Sequence, residues 1–198
     1  MAVLSQCGAD FVDCVSLRNL NGGDGLLYQV GDLVVYGSVG VMTVMDIRRE
    51  EVLGQAKDYY LLSEYGRDGS SVTYVPCDNE RLVSLMRSVL TEAEIKAAIG
   101  RARELPDMEW KPDNRSRTEL FKTVLESGDR AAILVMIRSV HNAGLRRAAI
   151  GKKNFLTDEN FMKRAEKLIE AEFSLSLGIT AGEVAEIIER DIKGVEQP

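Results

Sequence analysis

Apolar positions change their rhythm partway along the chain. Between Leu27 and about Leu85 they come in short runs of strand formers broken by glycines. Leu33-Val-Val-Tyr36 is bounded by Gly31-Asp32 and Gly37-Ser38. The stretch Val39 to Ile47 alternates and puts Val39, Val41, Thr43 and Met45 on one face. Asp58 to Glu64 contains Tyr59-Tyr-Leu-Leu62, rich in residues that fit a pleated surface. Gly66-Arg-Asp-Gly69 is a hairpin signal, because Asp-Gly favours the turns whose twist matches paired strands. Ser71 to Val75 is expected to pair back, and Pro76 stops it because proline has no N–H for the ladder. About five short strands in so small a stretch predict an SH3- or Tudor-like barrel.

From Thr91 the period becomes helical. Thr91-Glu-Ala-Glu94 is a capping box followed by Ile95, Ala98 and Ile99. Ser116-Arg-Thr-Glu119 reads as a second box, leading to Leu120, Phe121, Val124 and Leu125. Gly128 ends that helix and Asp129 caps the next, whose stripe is Ile133, Met136, Ile137 and Val140, closed by Gly144. After Thr157 come Phe161, Ala165, Leu168, Ile169 and Phe173. Thr180-Ala-Gly-Glu183 caps a last helix with Val184, Ile187 and Ile188 inward. The expectation is an α+β chain: an N-terminal small SH3/Tudor-like β-barrel over residues 27–88, a helix and linker over 89–109, and a compact all-helical domain over 110–193. Residues 1–26 lack periodicity and read as a disordered extension, with the hypothesis that they arise from a misplaced start codon.

Composition narrows the chemistry. The chain of 198 residues has no apolar run long enough for a membrane span. Cys7, Cys14 and Cys77 are an odd set that fits a reducing cytoplasm. His141 is the only histidine, which nearly excludes His-based metal sites. It is expected at a helix end, in a structural role. No phosphate-binding glycine loop and no Cys-x-x-Cys occurs. Glu50 and Glu51 are adjacent and point to opposite strand faces, which is poor for paired acid–base work. The expectation is no enzyme, no cofactor and no metal; a hydrolase using a serine and His141 is the weakest alternative.

Charge is segregated. The net charge of −6 divides into −7 for residues 1–110, +6 for 111–153 and −5 for 154–198. The only tryptophan, Trp110, stands where the cationic block begins and where strands have given way to helices. Burial between two domains is the ordinary fate of such a ring. Presentation to a partner is the alternative that the cations behind it favour.

The strand segments also resemble a known family. Val30-Gly-Asp-Leu-Val-Val-Tyr36, Gly40-Val41, Gly54, Tyr59-Tyr-Leu-Leu62 and Val75-Pro76 follow the pattern of bacterial CarD/CdnL transcription factors. The transcription-repair coupling factor carries the same module. The helical half is similar as well, in Trp110-Lys-Pro-Asp-Asn-Arg115-Ser-Arg117, Leu125-Glu-Ser-Gly-Asp129-Arg130 and Leu168-Ile-Glu-Ala-Glu172. The form looks clostridia-like, and the resemblance spans roughly residues 27–190.

The resemblance implies a barrel that docks on the RNA polymerase β subunit, through the strand around Arg48 and Arg49 and the strand around Tyr74. It also implies a tryptophan, here Trp110, that wedges into promoter DNA at the upstream edge of the transcription bubble. Lys111, Arg115 and Arg117 match the basic residues near the wedge. Lys122, Arg146, Arg147, Lys152 and Lys153 complete the expected DNA-binding set. DNA contact is expected to be weak and not sequence-specific, the protein monomeric and cytoplasmic. Two departures stand out. Tyr36-Gly37-Ser38-Val39-Gly40 replaces the usual Tyr-Pro turn, and Tyr74 stands where the family often has an arginine. The runner-up is a protein–protein adaptor with a peptide-binding SH3-like barrel and no DNA contact.

Overall fold

A computed structural model describes residues 26–52, 55–66 and 71–194. Most of the 1–26 extension, Cys7, Cys14, the glycine at 54 and the Asp-Gly turn lie outside them.

The first half is an antiparallel sheet of β1 (Leu33–Tyr36), β2 (Gly40–Val52), β3 (Gln55–Glu64), β4 (Val72–Pro76) and β5 (Met86–Ser88), with a short helix α1 (Glu80–Val83) before β5. Its order is β4-β3-β2-β1-β5. No ladder joins β4 to β5 among the described residues, so the pairing leaves two sheet edges. The expected alternation along β2 is interrupted. The register against β3 shifts between Val44 and Asp46, and the extra residue, Met45, faces solvent along with Val39. A bulge of this kind places two residues opposite one and turns the strand.

Both faces of this sheet are used. Val34, Met42, Val44, Tyr60, Leu62 and Val75 meet Val83 and Met86 in a small core. Val35 and Val41 point the other way and join the core of the helices. An isolated sheet would therefore expose part of its own packing surface.

The helices are α2 (Glu92–Glu104), α3 (Asn114–Ser127), α4 (Arg130–Ala148), α5 (Leu156–Leu177) and α6 (Ala181–Ile187), which runs on as a π-helical turn (Ile188–Lys193). α4 is central: Ile133, Leu134, Met136 and Ile137 are all fully buried. α2 supplies Ile95 and Ala102 to the same core. Thr91 and Thr180 form the expected capping boxes, and Asp129 caps α4.

Other boundaries differ from expectation. Asp113, not Ser116, caps α3, its carboxylate accepting the Ser116 N–H at 2.8 Å. α4 continues past Gly144 to Ala148, so His141 lies within the helix instead of at its end. Gly144 has another task, since a Cβ there would stand 2.6 Å from Asn154 Nδ2.

Glu172 of α5 locks sheet to helices. Fully buried, it takes a bidentate contact from Arg130 and the Leu90 N–H at 3.1 Å. Ser176 donates to the Leu90 carbonyl. Beside this lock lies Arg87 of β5, whose Nη1 donates to the Gly128 carbonyl at 3.3 Å while Nε and Nη2 are buried without partners among the described residues. Burial, and then the like charge of Arg130, push its guanidinium down to about 10.

Candidate nucleic-acid interface

The segment before Trp110 has composition typical of a linker, yet it is stapled down. Arg138 donates to the carbonyls of Ala102 and Leu105 and to Asp107. Asn142 donates to Asp107 at 2.9 Å, and Ser139 Oγ accepts the Met108 N–H at 2.8 Å. Burial alone would raise the Asp107 carboxyl. The hydrogen bonds from Asn142 and Arg138 more than offset this and hold it below its ordinary value.

Trp110 itself is half-buried. Its ring rests near Phe121 of α3, with centroids 6.4 Å apart, and against the core of the helices. Arg117 Cζ stands 5.3 Å from the indole centroid and 4.6 Å from that of Phe155. Arg147 Cζ lies 3.9 Å from the same Phe155 ring. The result is a continuous stack of Trp110, Arg117, Phe155 and Arg147, alternating aromatic quadrupole and cation. Arg147 Nε also donates to the Lys153 carbonyl at 2.8 Å, which draws the loop after α4 into the assembly.

Arg117 must be corrected as a phosphate contact. It is 1% exposed. Its Nε donates to both oxygens of buried Asp158, at 3.1 and 3.2 Å, and its Nη1 to the carbonyls of Lys111 and Pro112. Its Nη2 donates to Asn114 Oδ1 at 3.4 Å, so every guanidinium nitrogen is engaged within the protein. Its work is to join the Trp110 segment to the start of α5. Neither Phe155 nor Asp158 was identified from the sequence as part of this site. Asp158 reads as an ordinary helix-start acid, and its partner lies 41 positions away.

The remaining cations divide. Lys111 is tied to Glu109 at 2.7 Å, and Lys122 to Glu119 at 3.1 Å. Arg115, Arg146, Lys152 and Lys153 are exposed, and Arg147 is half-buried in the stack. The structure thus gathers Trp110, Lys111, Arg147 and Lys153 around Arg117. Lys122 sits farther along α3, about two turns beyond Arg115.

On the sheet, Arg48 and Tyr74 share the face that also carries Tyr59, whose ring meets that of Tyr74 edge-on at 6.2 Å. This face is the exposed continuation of the one whose other end, at Val35 and Val41, is covered by helices. Arg48 is bracketed by Asp46 at 3.0 Å and Glu50 at 3.8 Å. Arg49 is exposed too, but strand alternation aims it from the opposite face.

His141 is half-buried. Burial, then Lys193, lower its pKa. No group of three or more His, Cys, Asp or Glu is placed to hold a metal among the described residues, and no helix there is long and apolar enough to cross a membrane.

A sheet with a half-exposed face, joined to helices that carry an aromatic–cation stack, has the parts of an interaction module. Residues 28–90 match the family model described as the CarD-like/TRCF RID domain. The match supports a CarD-like RNA-polymerase-interacting domain over that segment. No curated protein matches the chain. The match ends at Leu90, the residue that Glu172 and Ser176 hold, so the role of the helices rests on their own geometry.

Proposed function

We propose that this protein is a transcription regulator that binds the RNA polymerase β subunit through a Tudor-like barrel and stabilises the promoter open complex with its helices. The barrel would present Arg48 and Tyr74 on one face, with Arg49 on the other. Trp110 would meet DNA at the upstream edge of the bubble. Lys111, Arg115, Lys122, Arg146, Arg147, Lys152 and Lys153 would supply phosphate contacts that position the ring without reading bases. The observation that carries the reading is the stack around Arg117, which holds a half-buried tryptophan in register with a cationic loop.

The physics is modest in scale. An aromatic inserted where base pairs unstack contributes ~1–3 kcal/mol. Each ~1.4 kcal/mol is a factor of ten in an equilibrium or a lifetime. Weak DNA affinity suffices when the polymerase already holds the protein nearby.

The test is the lifetime of open complexes formed by purified polymerase, with and without the protein. Trp110→Ala, assayed well below its unfolding temperature, should shorten the lifetime by about tenfold while retaining polymerase binding. An unchanged lifetime would remove the wedge. Arg48→Glu in the full chain should weaken polymerase binding; undiminished retention would remove the sheet face from the interface. The adaptor remains the second reading because Trp110 is half-buried against Phe121. It predicts no effect of the protein on open-complex lifetime at all.

A further inference from the structure

Four large apolar side chains stay in water within one short stretch of the helical half. Leu145 is 58% exposed, Ile150 66%, Phe155 39% and Leu156 70%. Isolated exposed leucines need no explanation, but a contiguous group marks an interaction surface. Leu145 and Leu156 line a groove of about 690 Å³ between the end of α4 and the start of α5, with Gly144, Ala148 and Met162. Lys152 and Lys153 line it too, and Glu159 is the one carboxylate there.

The groove is built, not incidental. Gly144 admits the Asn154 side chain to a position that any Cβ would block. Arg147 stacks on Phe155 and donates to the Lys153 carbonyl, fixing the loop that forms one wall. Two lysines thus line a groove whose lining holds a single carboxylate.

Phosphates would satisfy the cations and leave Leu145 and Leu156 in water. A protein segment with apolar side chains and carboxylates would satisfy both, in the usual arrangement of apolar centre and charged rim. We propose that this groove docks an acidic segment of a partner protein. An apolar side chain of that segment sits between Leu145 and Leu156, and its carboxylates meet Lys152 and Lys153. The site shares Lys152 and Lys153 with the proposed phosphate contacts but does not depend on Trp110 meeting DNA.

The probe is a short fluorescein-labelled peptide of alternating Asp/Glu and Leu/Phe, titrated with the full chain by polarisation. A peptide with Lys replacing its acids is the control. The acidic peptide should bind saturably and the basic one should not. Leu156→Asp should weaken binding by at least about tenfold, as should Lys152→Glu combined with Lys153→Glu. These side chains are exposed, so the variants should keep the wild-type circular dichroism and melting temperature. Trp110→Ala should bind the peptide normally even if it loses open-complex stabilisation, which separates the two readings. Absence of binding, or binding that survives Leu156→Asp, overturns the proposal. So does duplex DNA that competes with the peptide and itself loses affinity in Leu156→Asp, because the groove then belongs to nucleic acid.

Discussion

Arg117→Ala separates a structural cation from a DNA-binding one. The guanidinium is 1% exposed, and its Nε bridges both Asp158 oxygens. Removing it leaves Asp158, itself 3% exposed, without its guanidinium partner. Truncating one partner of a buried ion pair costs ~3–5 kcal/mol, because the other charge is stranded in a poor dielectric. Loss of the contacts to the Trp110 and Phe155 rings adds to that. Against a typical total of about 5–15 kcal/mol, the loss is a large fraction.

Urea unfolding followed by circular dichroism reads this directly. With an m-value of about 1–3 kcal/mol/M, the midpoint should fall by at least roughly 1 M. Lys122→Ala, at an exposed pair, should stay within about 0.5 kcal/mol of wild type. Replacing both partners, Arg117→Met with Asp158→Leu, should recover most of the loss, since no charge is then stranded. A loss below about 1 kcal/mol for Arg117→Ala would refute the argument, because that is the range of an exposed pair. The phosphate-contact reading predicts the reverse pattern: unchanged stability, and a DNA salt slope reduced by about one.

Other consequences follow from the lock between sheet and helices and from the stapled segment. Arg87→Met removes a buried cation with two unpartnered nitrogens and should raise Tm, measured by calorimetry; a lower Tm would contradict the cost assigned to that charge. Gly128→Ala should destabilise by ~1–2 kcal/mol, because φ is +67° and the new Cβ would stand 2.6 Å from Arg87 Nη1. Combining it with Arg87→Met should lessen the penalty, and strict additivity in that cycle would show that the close approach is harmless. Asp107 is held below its ordinary 3.8, so the stability it contributes is present at neutral pH and lost as pH falls through the acid range. Asp107→Asn should therefore be less stable near neutrality and lose less on acidification. Parallel pH–Tm curves for the two proteins would rule that out.

The residues that the sequence made legible are those whose signal is local. Strand runs, capping boxes at Thr91 and Thr180, and the glycine end of α3 all depend on neighbours within a turn or two. The bulge at Met45 was hidden because a register shift is a property of two strands, and the alternating pattern of one strand does not record it. Arg117 was misread for a related reason. In sequence it is one more cation in a basic block, and only Asp158, packed against it from a different helix, turns it inward. The same holds for Arg130, which Glu172 withdraws from the block in the same way. The net charge of residues 111–153 therefore overstates the charge available at the surface, since two of its ten cations are neutralised inside the protein by carboxylates that lie outside the block. Arg138 is tied to Asp107, and what remains is smaller and more localised: Lys111 and Arg115 near the ring, Lys122 farther along α3, and Arg146, Arg147, Lys152 and Lys153 at the loop that Phe155 ties to the ring. Under the proposed function these cations would supply a weak contact, sufficient once polymerase holds the protein at the promoter.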